Sequence, residues 1–308
     1  MKKIIAITAG DPNSINTEII GKTWKILKKK YKKNIFIIGN YILIKKQLKL
    51  NKIKISIKKI NSLSELSSSN ILKIMDVPLN SNYVLNCIDL ANSFAKKKII
   101  YGFINCPINK KRVLKSQSLG ITEYLAKKNQ VFGSEVMMIY NKNLSVVPIT
   151  THLKLKNVSK NLKKHIIENK IKVLNNFYLN KLKRKPRIAV LGLNPHNDEL
   201  RKNSEEVNMI IPVLKKLKKI NKYITGPFPA DTVFTNKKKL KYDAIVGMYH
   251  DQVLAPFKAI YNFDAVNVTL GLKYFRVSPD HGVAEDIANL KKANPLSLLR
   301  CVEFLNLN

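Results

Sequence analysis

Five histidines occur in 308 residues, and four of them stand where an apolar run gives way to polar residues. His152 follows Pro148-Ile149-Thr150-Thr151, His196 follows Leu193-Asn194-Pro195, and His250 follows Gly247-Met248-Tyr249. His281 lies in Ser278-Pro279-Asp280-His281-Gly282, between a strand-like and a helix-like stretch, whereas His165 sits among lysines in Lys163-Lys164-His165-Ile166. In open α/β sheets, ligands bind beyond the carboxyl ends of the strands. One strand-end histidine is ordinarily a loop hydrogen bonder. Three neutral imidazoles converging on a cleft (His152, His196 and His250) would make a divalent-metal site that leaves positions open for substrate. They lie far apart along the chain, so the fold has to bring them together.

A second set, Lys258, Asn267 and Arg276, follows His250 in what reads as a loop and two strands. It would suit an anionic substrate, because arginine grips phosphate or carboxylate through two hydrogen bonds and lysine adds a point charge. Among 56 basic residues, no one of these is informative alone. Asp231, after Pro227-Phe228-Pro229-Ala230, and Asp251 are acids near the same elements. Each is either an orienting partner for a metal-binding imidazole or a turn and cap residue. Thr8-Ala9-Gly10-Asp11-Pro12-Asn13-Ser14 marks a strand–loop–helix junction. It carries neither the GxGxxG nor the GxxxxGK[ST] pattern.

The elements that must position these groups alternate between strand and helix, which predicts an α/β layered fold. Strands are expected at Lys3–Ala9, Asn34–Ile38, Ile53–Ile57, Ile71–Met75 and Ile99–Asn105. Glu135–Tyr140 and Leu144–Thr150 would pair as a hairpin, and further strands are expected at Arg187–Leu193, Asp243–Met248, Ala265–Leu270 and Tyr274–Val277. Helices are expected at Asn13–Lys30, Tyr83–Lys98, Asn157–Tyr178, from Ser204-Glu205-Glu206 onward, and at about Gly282–Leu290 and Pro295–Phe304. The acids at 205 and 206 suit a first helical turn, where the dipole favours negative charge. Residues 61–70 read as a polar loop.

Size and composition set further bounds. At 308 residues with 45% hydrophobic, the chain can bury a sizeable core and form two lobes around a cleft. No apolar run approaches the roughly 20 residues of a membrane span. The opening Met1-Lys2-Lys3-Ile4-Ile5-Ala6-Ile7 imitates a signal peptide but runs into Gly10-Asp11-Pro12, so it reads as a first strand. Three cysteines, odd in number and without a CxxC pair, suit a reducing cytoplasm. The net charge of +36 invites a nucleic-acid reading. The basic residues are nevertheless spread along the chain, in runs such as Lys28-Lys29-Lys30 and Lys237-Lys238-Lys239. With Asn and Ile also abundant, they look like compositional drift, and no zinc-finger spacing or RNP-like motif accompanies them.

Taken together, the motifs resemble the 4-hydroxythreonine-4-phosphate dehydrogenase family of pyridoxal phosphate biosynthesis. The matching pieces are "ITAGDP", "GITEYLA", "TTHLKLKNV", "LGLNPH", "GPFPADTVF", "YDAIVGMYHDQVLAPFK", "AVNVTLGL", "FRVSPDHGVAEDIA" and "ANPLSLL". The block from Tyr242 to Asp286 is the longest and most specific. The resemblance implies an isocitrate/isopropylmalate dehydrogenase-like fold of two α/β/α lobes with a cleft between them. Their expected extents are about 1–104 plus 240–308 on the cofactor side and about 105–239 on the metal and dimer side.

The resemblance further implies that His152, His196 and His250 bind zinc, magnesium or cobalt, and that Thr122, Lys258, Asn267 and Arg276 contact substrate. His281 and Asp286 would lie on the NAD side, and Lys258 and Asp251 are the candidate catalytic groups. The implied reaction is NAD-dependent oxidation of a secondary alcohol β to a carboxylate in a phosphorylated amino acid, followed by loss of carbon dioxide. The metal would lower the pKa of the alcohol and stabilise the enolate, with Asp251 and Gln252 orienting His250. A homodimer is implied, with its site shared between subunits, so that His250 can serve a site whose other ligands come from the partner.

The chain departs from the family pattern at several positions. Ile121 replaces the histidine of "GHTE", Asn13-Ser14-Ile15-Asn16-Thr17-Glu18 replaces "AGIGPE", the residues after "NPH" lack glycine, and Asn289 replaces the glycine after "DIA". Two other readings fit parts of the chain. One is a metal-dependent hydrolase of a phosphorylated small molecule, and the other is a basic polyanion-binding protein on the same fold.

Overall fold

Stretches such as Ile5-Ala6-Ile7 and Ile35-Phe36-Ile37-Ile38 are apolar at every position, so neither face of them can be left to water. Such runs form parallel strands covered on both sides. The computed structural model describes residues 3–66, 70–114, 120–235 and 241–307, and these stretches are buried parallel strands in it. The chain divides into two units. One is Met1–Leu125 with Phe263–Asn267 and Leu272–Asn308, and the other is Ala126–Asn262 with Val268–Gly271.

The first unit is built on β1 (Ile5–Thr8), β2 (Ile35–Gly39), β3 (Ile57–Ile60), β4 (Leu72–Asp76), β5 (Gly102–Asn105) and β12 (Phe275–Pro279). They run parallel in the order β3-β4-β2-β1-β5-β12. Helix α1 (Asn16–Ile26) packs on α3 (Tyr41–Leu50) and α12 (Leu296–Leu307), while α4 (Tyr83–Lys96) covers β5, β1 and β2. Short helices α2 (Lys29–Lys32), α5 (Lys110–Leu114) and α6 (Ile121–Lys128) fill connections.

The second unit holds β6 (Val136–Asn141), β7 (Leu144–Thr150), β8 (Ile188–Leu191), β9 (Ile224–Phe228) and β10 (Ala244–Tyr249), in the order β6-β7-β10-β8-β9. β6 and β7 form the expected antiparallel hairpin; the others are parallel. Strand β11 (Val266–Leu270) has residues in each unit. Helix α8 (Lys164–Asn180) packs on β6, β7 and α9 (Ile211–Lys218), and α11 (His250–Tyr261) packs on β7 and β10. Two four-residue helices, α7 (Val158–Asn161) and α10 (Ala230–Val233), complete the set. Among the described residues no helix is long and apolar enough to cross a membrane. The three cysteines are buried and unpaired.

The α/β class is as expected, but several elements differ. The third strand begins at Ile57, where the expected one ends. The helix expected over Asn157–Tyr178 is interrupted at Leu162-Lys163, where the backbone is extended. Only the single 3-10 turn Glu285–Ile287 forms within Gly282–Leu290, because Ala284 and Asn289 adopt left-handed φ. The expected lobe division placed 240–308 with the first lobe, yet residues through Asn262 pack in the second unit because β10 is hydrogen-bonded between β7 and β8. The run Lys237-Lys238-Lys239 and part of the polar loop 61–70 lie outside the described residues.

Candidate active site

Three adjacent parallel strands of the second unit, β7, β10 and β8, end at the same edge. Tyr249 is level with Thr150, and Val246 with Val190. Just beyond these carboxyl ends come His152, His250 and His196 in turn. Neighbouring strands lie about 4.8 Å apart, so the fold starts all three residues within the width of one site.

The rings of His152 and His250 have centroids 6.2 Å apart within one chain. Two imidazoles that each hold one ion at ~2.0–2.1 Å have centroids roughly 5–6 Å apart, so this pair stands slightly wider than a pair sharing an ion. Nδ1 of His250 lies 2.6 Å from Asp251 Oδ1. A carboxylate at that nitrogen favours the proton there and leaves Nε2 as the electron-pair donor. The donor chemistry therefore fits a divalent cation.

His196 stands on the far side of His250's strand, with its side chain 70% exposed. Its Nδ1 is 3.5 Å from Glu199 Oε1, and its Nε2 is 3.9 Å from Asp231 Oδ2. Among the described residues no three histidine, cysteine, aspartate or glutamate side chains are gathered for one ion. The structure thus pairs His152 with His250 and sets His196 at the adjacent strand end, with its ring toward Asp231. A cavity of about 230 Å³ there is lined by Leu193, Asn194, His196, Asp231, Tyr249 and Gln252.

The turn carrying His196 is unusual. His196, Asn197, Asp198, Glu199 and Leu200 have φ of 49°, 59°, 50°, 48° and 54°, with no glycine among them. Left-handed helical backbone costs L-residues about 1–2 kcal/mol each, so such a run persists only where its surroundings hold it. One hold is Gln252. Its Nε2 donates to Gly192 O at 2.7 Å and its Oε1 accepts from Met248 N at 2.7 Å, tying the end of β8 to β10. Gln252 therefore orients a strand end rather than the His250 ring, since both halves of its amide are turned to backbone. A Cβ at Gly192 would lie 2.2 Å from Asn197 Oδ1, so any larger residue there would displace the Asn197 side chain.

Of the substrate candidates, Thr122, Asn267 and Arg276 belong to the first unit and Lys258 to the second. Arg276, on β12, is 3% exposed. Its Nε donates to Asn105 Oδ1 at 2.5 Å and its Nη1 to Thr122 Oγ1 at 3.3 Å. Burial pushes the guanidinium pKa down to about 10, which still leaves a cation at neutral pH. Asn267 Oδ1 is buried with no hydrogen-bond partner, an acceptor suited to a ligand. Lys258 is exposed in the last turn of α11, not in a loop, because Val253, Leu254 and Phe257 bury one side of that segment as a helix. Ile121 is buried in α6 and offers no polar group.

Asn105 was not anticipated, although its place at the polar end of the apolar run Gly102-Phe103-Ile104 was a signal. On the expected cofactor side, His281 Nδ1 is 2.9 Å from Gly282 O, and Asp286 is exposed. Neither lines the nearby cavity of about 480 Å³, whose walls include Asn13, Lys46, Gln47, Glu285, Ala288 and Asn289.

Comparison with known proteins agrees with this architecture. Residues 30–305 match the family described as pyridoxal phosphate biosynthetic protein PdxA. The chain is 36% identical to 4-hydroxythreonine-4-phosphate dehydrogenase of Aquifex aeolicus, over 99% of this chain and 98% of that one. It is 31% identical to D-threonate 4-phosphate dehydrogenase of Pectobacterium atrosepticum, over 97% of each. A solved 4-hydroxythreonine-4-phosphate dehydrogenase from Klebsiella pneumoniae superposes with a TM-score of 0.87 at 31% identity, over 99% of each chain. Isocitrate dehydrogenase from Methylococcus capsulatus shares the fold, with a TM-score of 0.50 at 11% identity over 97% of this chain and 83% of that one.

Proposed function

The chain belongs to the PdxA family of pyridoxal phosphate biosynthetic proteins, and from that membership we propose that it catalyses the NAD-dependent oxidation and decarboxylation of 4-phosphooxy-L-threonine to 3-amino-2-oxopropyl phosphate. The observation that carries this reading is the placement of His152, His250 and His196 beyond three adjacent parallel strands, with the first two rings 6.2 Å apart. These side chains would hold zinc, magnesium or cobalt. His196 would complete the set by turning from Asp231.

When bound, the metal would supply Lewis-acid polarisation of the substrate alcohol and NAD a hydride acceptor. The residues of this chain bind and orient. Asp251 keeps the His250 proton on Nδ1 and so presents Nε2 outward. Arg276, steadied by Asn105 and Thr122, holds an anionic group of the substrate, while Asn267 Oδ1 accepts a hydrogen bond from a hydroxyl or ammonium group of the substrate. Lys258 adds a second positive charge for the phosphate or carboxylate. Positioning a small substrate is itself a large contribution to rate. The cavity beside Glu285 and Asn289 would take part of the NAD, and the family resemblance adds His281 and Asp286 as cofactor-side residues. The family resemblance further supports a homodimer with shared sites and a cytoplasmic location.

Purified protein incubated with a divalent metal, NAD and 4-phosphooxy-L-threonine should produce NADH absorbance that a chelator stops. Release of inorganic phosphate without NADH would instead establish the hydrolase reading.

A further inference from the structure

Glu206 is wholly buried at the start of the π-helical turn Glu206–Ile210. In the sequence it reads as a first-turn acid serving the helix dipole; in the fold its carboxylate is turned inward. Oε1 accepts from the backbone N–H of Leu193 at 2.7 Å and of Asn194 at 2.9 Å, and Oε2 from the side-chain amide of Asn194 at 3.1 Å. These two residues join β8 to the turn bearing His196. A buried carboxylate is tolerated only when its lone pairs are met, and here one short segment meets them with three donors. The coupling works in both directions, since the segment that satisfies the acid is also fixed by it.

Two further features converge on the same point. Gly192 leaves room for the acid, because a Cβ there would sit 3.0 Å from Glu206 Oε1. The segment it bonds leads directly into the left-handed, glycine-free run from His196 to Leu200, which needs external support to persist. We propose that Glu206 is a positioning residue for His196, clamping Leu193-Asn194 so that the left-handed turn presents the imidazole to a divalent cation shared with His152 and His250. This rests on the metal-binding reading above.

The test uses apo protein and Co²⁺ as the probe. In the wild type, amide exchange at Leu193 and Asn194 should be as slow as in β8; fast exchange there overturns the proposal without any variant. In Glu206→Gln, exchange across 193–200 should accelerate while β8 stays protected, and Co²⁺ affinity should fall about 10- to 100-fold. In a His196→Ala background, the same substitution should cause no further loss of affinity. Unchanged Co²⁺ affinity in Glu206→Gln, or an equal loss with His196 absent, overturns the positioning role. A wild type that binds no Co²⁺ overturns the metal reading itself, a result distinct from either. If Glu206→Gln fails to fold, the same readouts are taken with Leu200→Gly added, which removes one side chain from the left-handed run.

Discussion

His250→Ala should lower metal-dependent NADH formation by about 10³-fold or more, because a Lewis acid contributes several kcal/mol to this chemistry and each 1.36 kcal/mol is tenfold in rate. His250 follows β10, the strand between those that lead to His152 and His196. The side chain is only partly buried and its one named bond is to exposed Asp251, so the fold should survive. Thermal unfolding checks this: a midpoint within a few degrees of wild type, together with the collapse in rate, assigns the loss to chemistry. Near-wild-type activity in a folded variant would remove His250 from the site.

Arg276 gives the second large effect, through substrate binding. Hydrogen bonds to a charged group contribute about 1.5–3 kcal/mol each, so if Arg276 binds an anionic group of the substrate as proposed, Arg276→Met should lower kcat/KM by about 10- to 100-fold. Arg276→Lys should not rescue it, since an ammonium cannot reproduce the guanidinium fork that meets both Asn105 and Thr122. The substitution also leaves Asn105 Oδ1 buried without its donor, at about 1–3 kcal/mol of stability. Rates therefore have to be taken per folded molecule, measured by steady-state kinetics beside an unfolding curve. An unchanged kcat/KM would show that Arg276 is purely structural.

What could be read beforehand followed the physics of each segment. Strands that are apolar throughout, such as Ile35–Gly39 and Ala244–Tyr249, were plain because a fully buried strand leaves a continuous apolar run. Strand β9 was not, because Gly226-Pro227 within it reads as a loop. The segment after His250 reads as a loop because His-Asp-Gln obscures its start and Pro256 its middle, yet it forms a helix. The positions of the three histidines past strand ends were legible. Which rings would meet was not, since that depends on side-chain direction at a left-handed turn whose sequence, Asn-Asp-Glu-Leu, shows no glycine to announce it. Glu206 stands in the first helical turn as its sequence position implies, but only the return of the chain past β8 reveals the amides its carboxylate meets.

A crystal structure of the protein soaked with zinc tests the central claim most directly. The account predicts one zinc ion with nitrogen atoms of His152, His196 and His250 each at ~2.0–2.1 Å, the His196 ring having swung from Asp231 to reach it. Zinc bound elsewhere, or only to the pair His152 and His250 with His196 still beside Asp231, would contradict it.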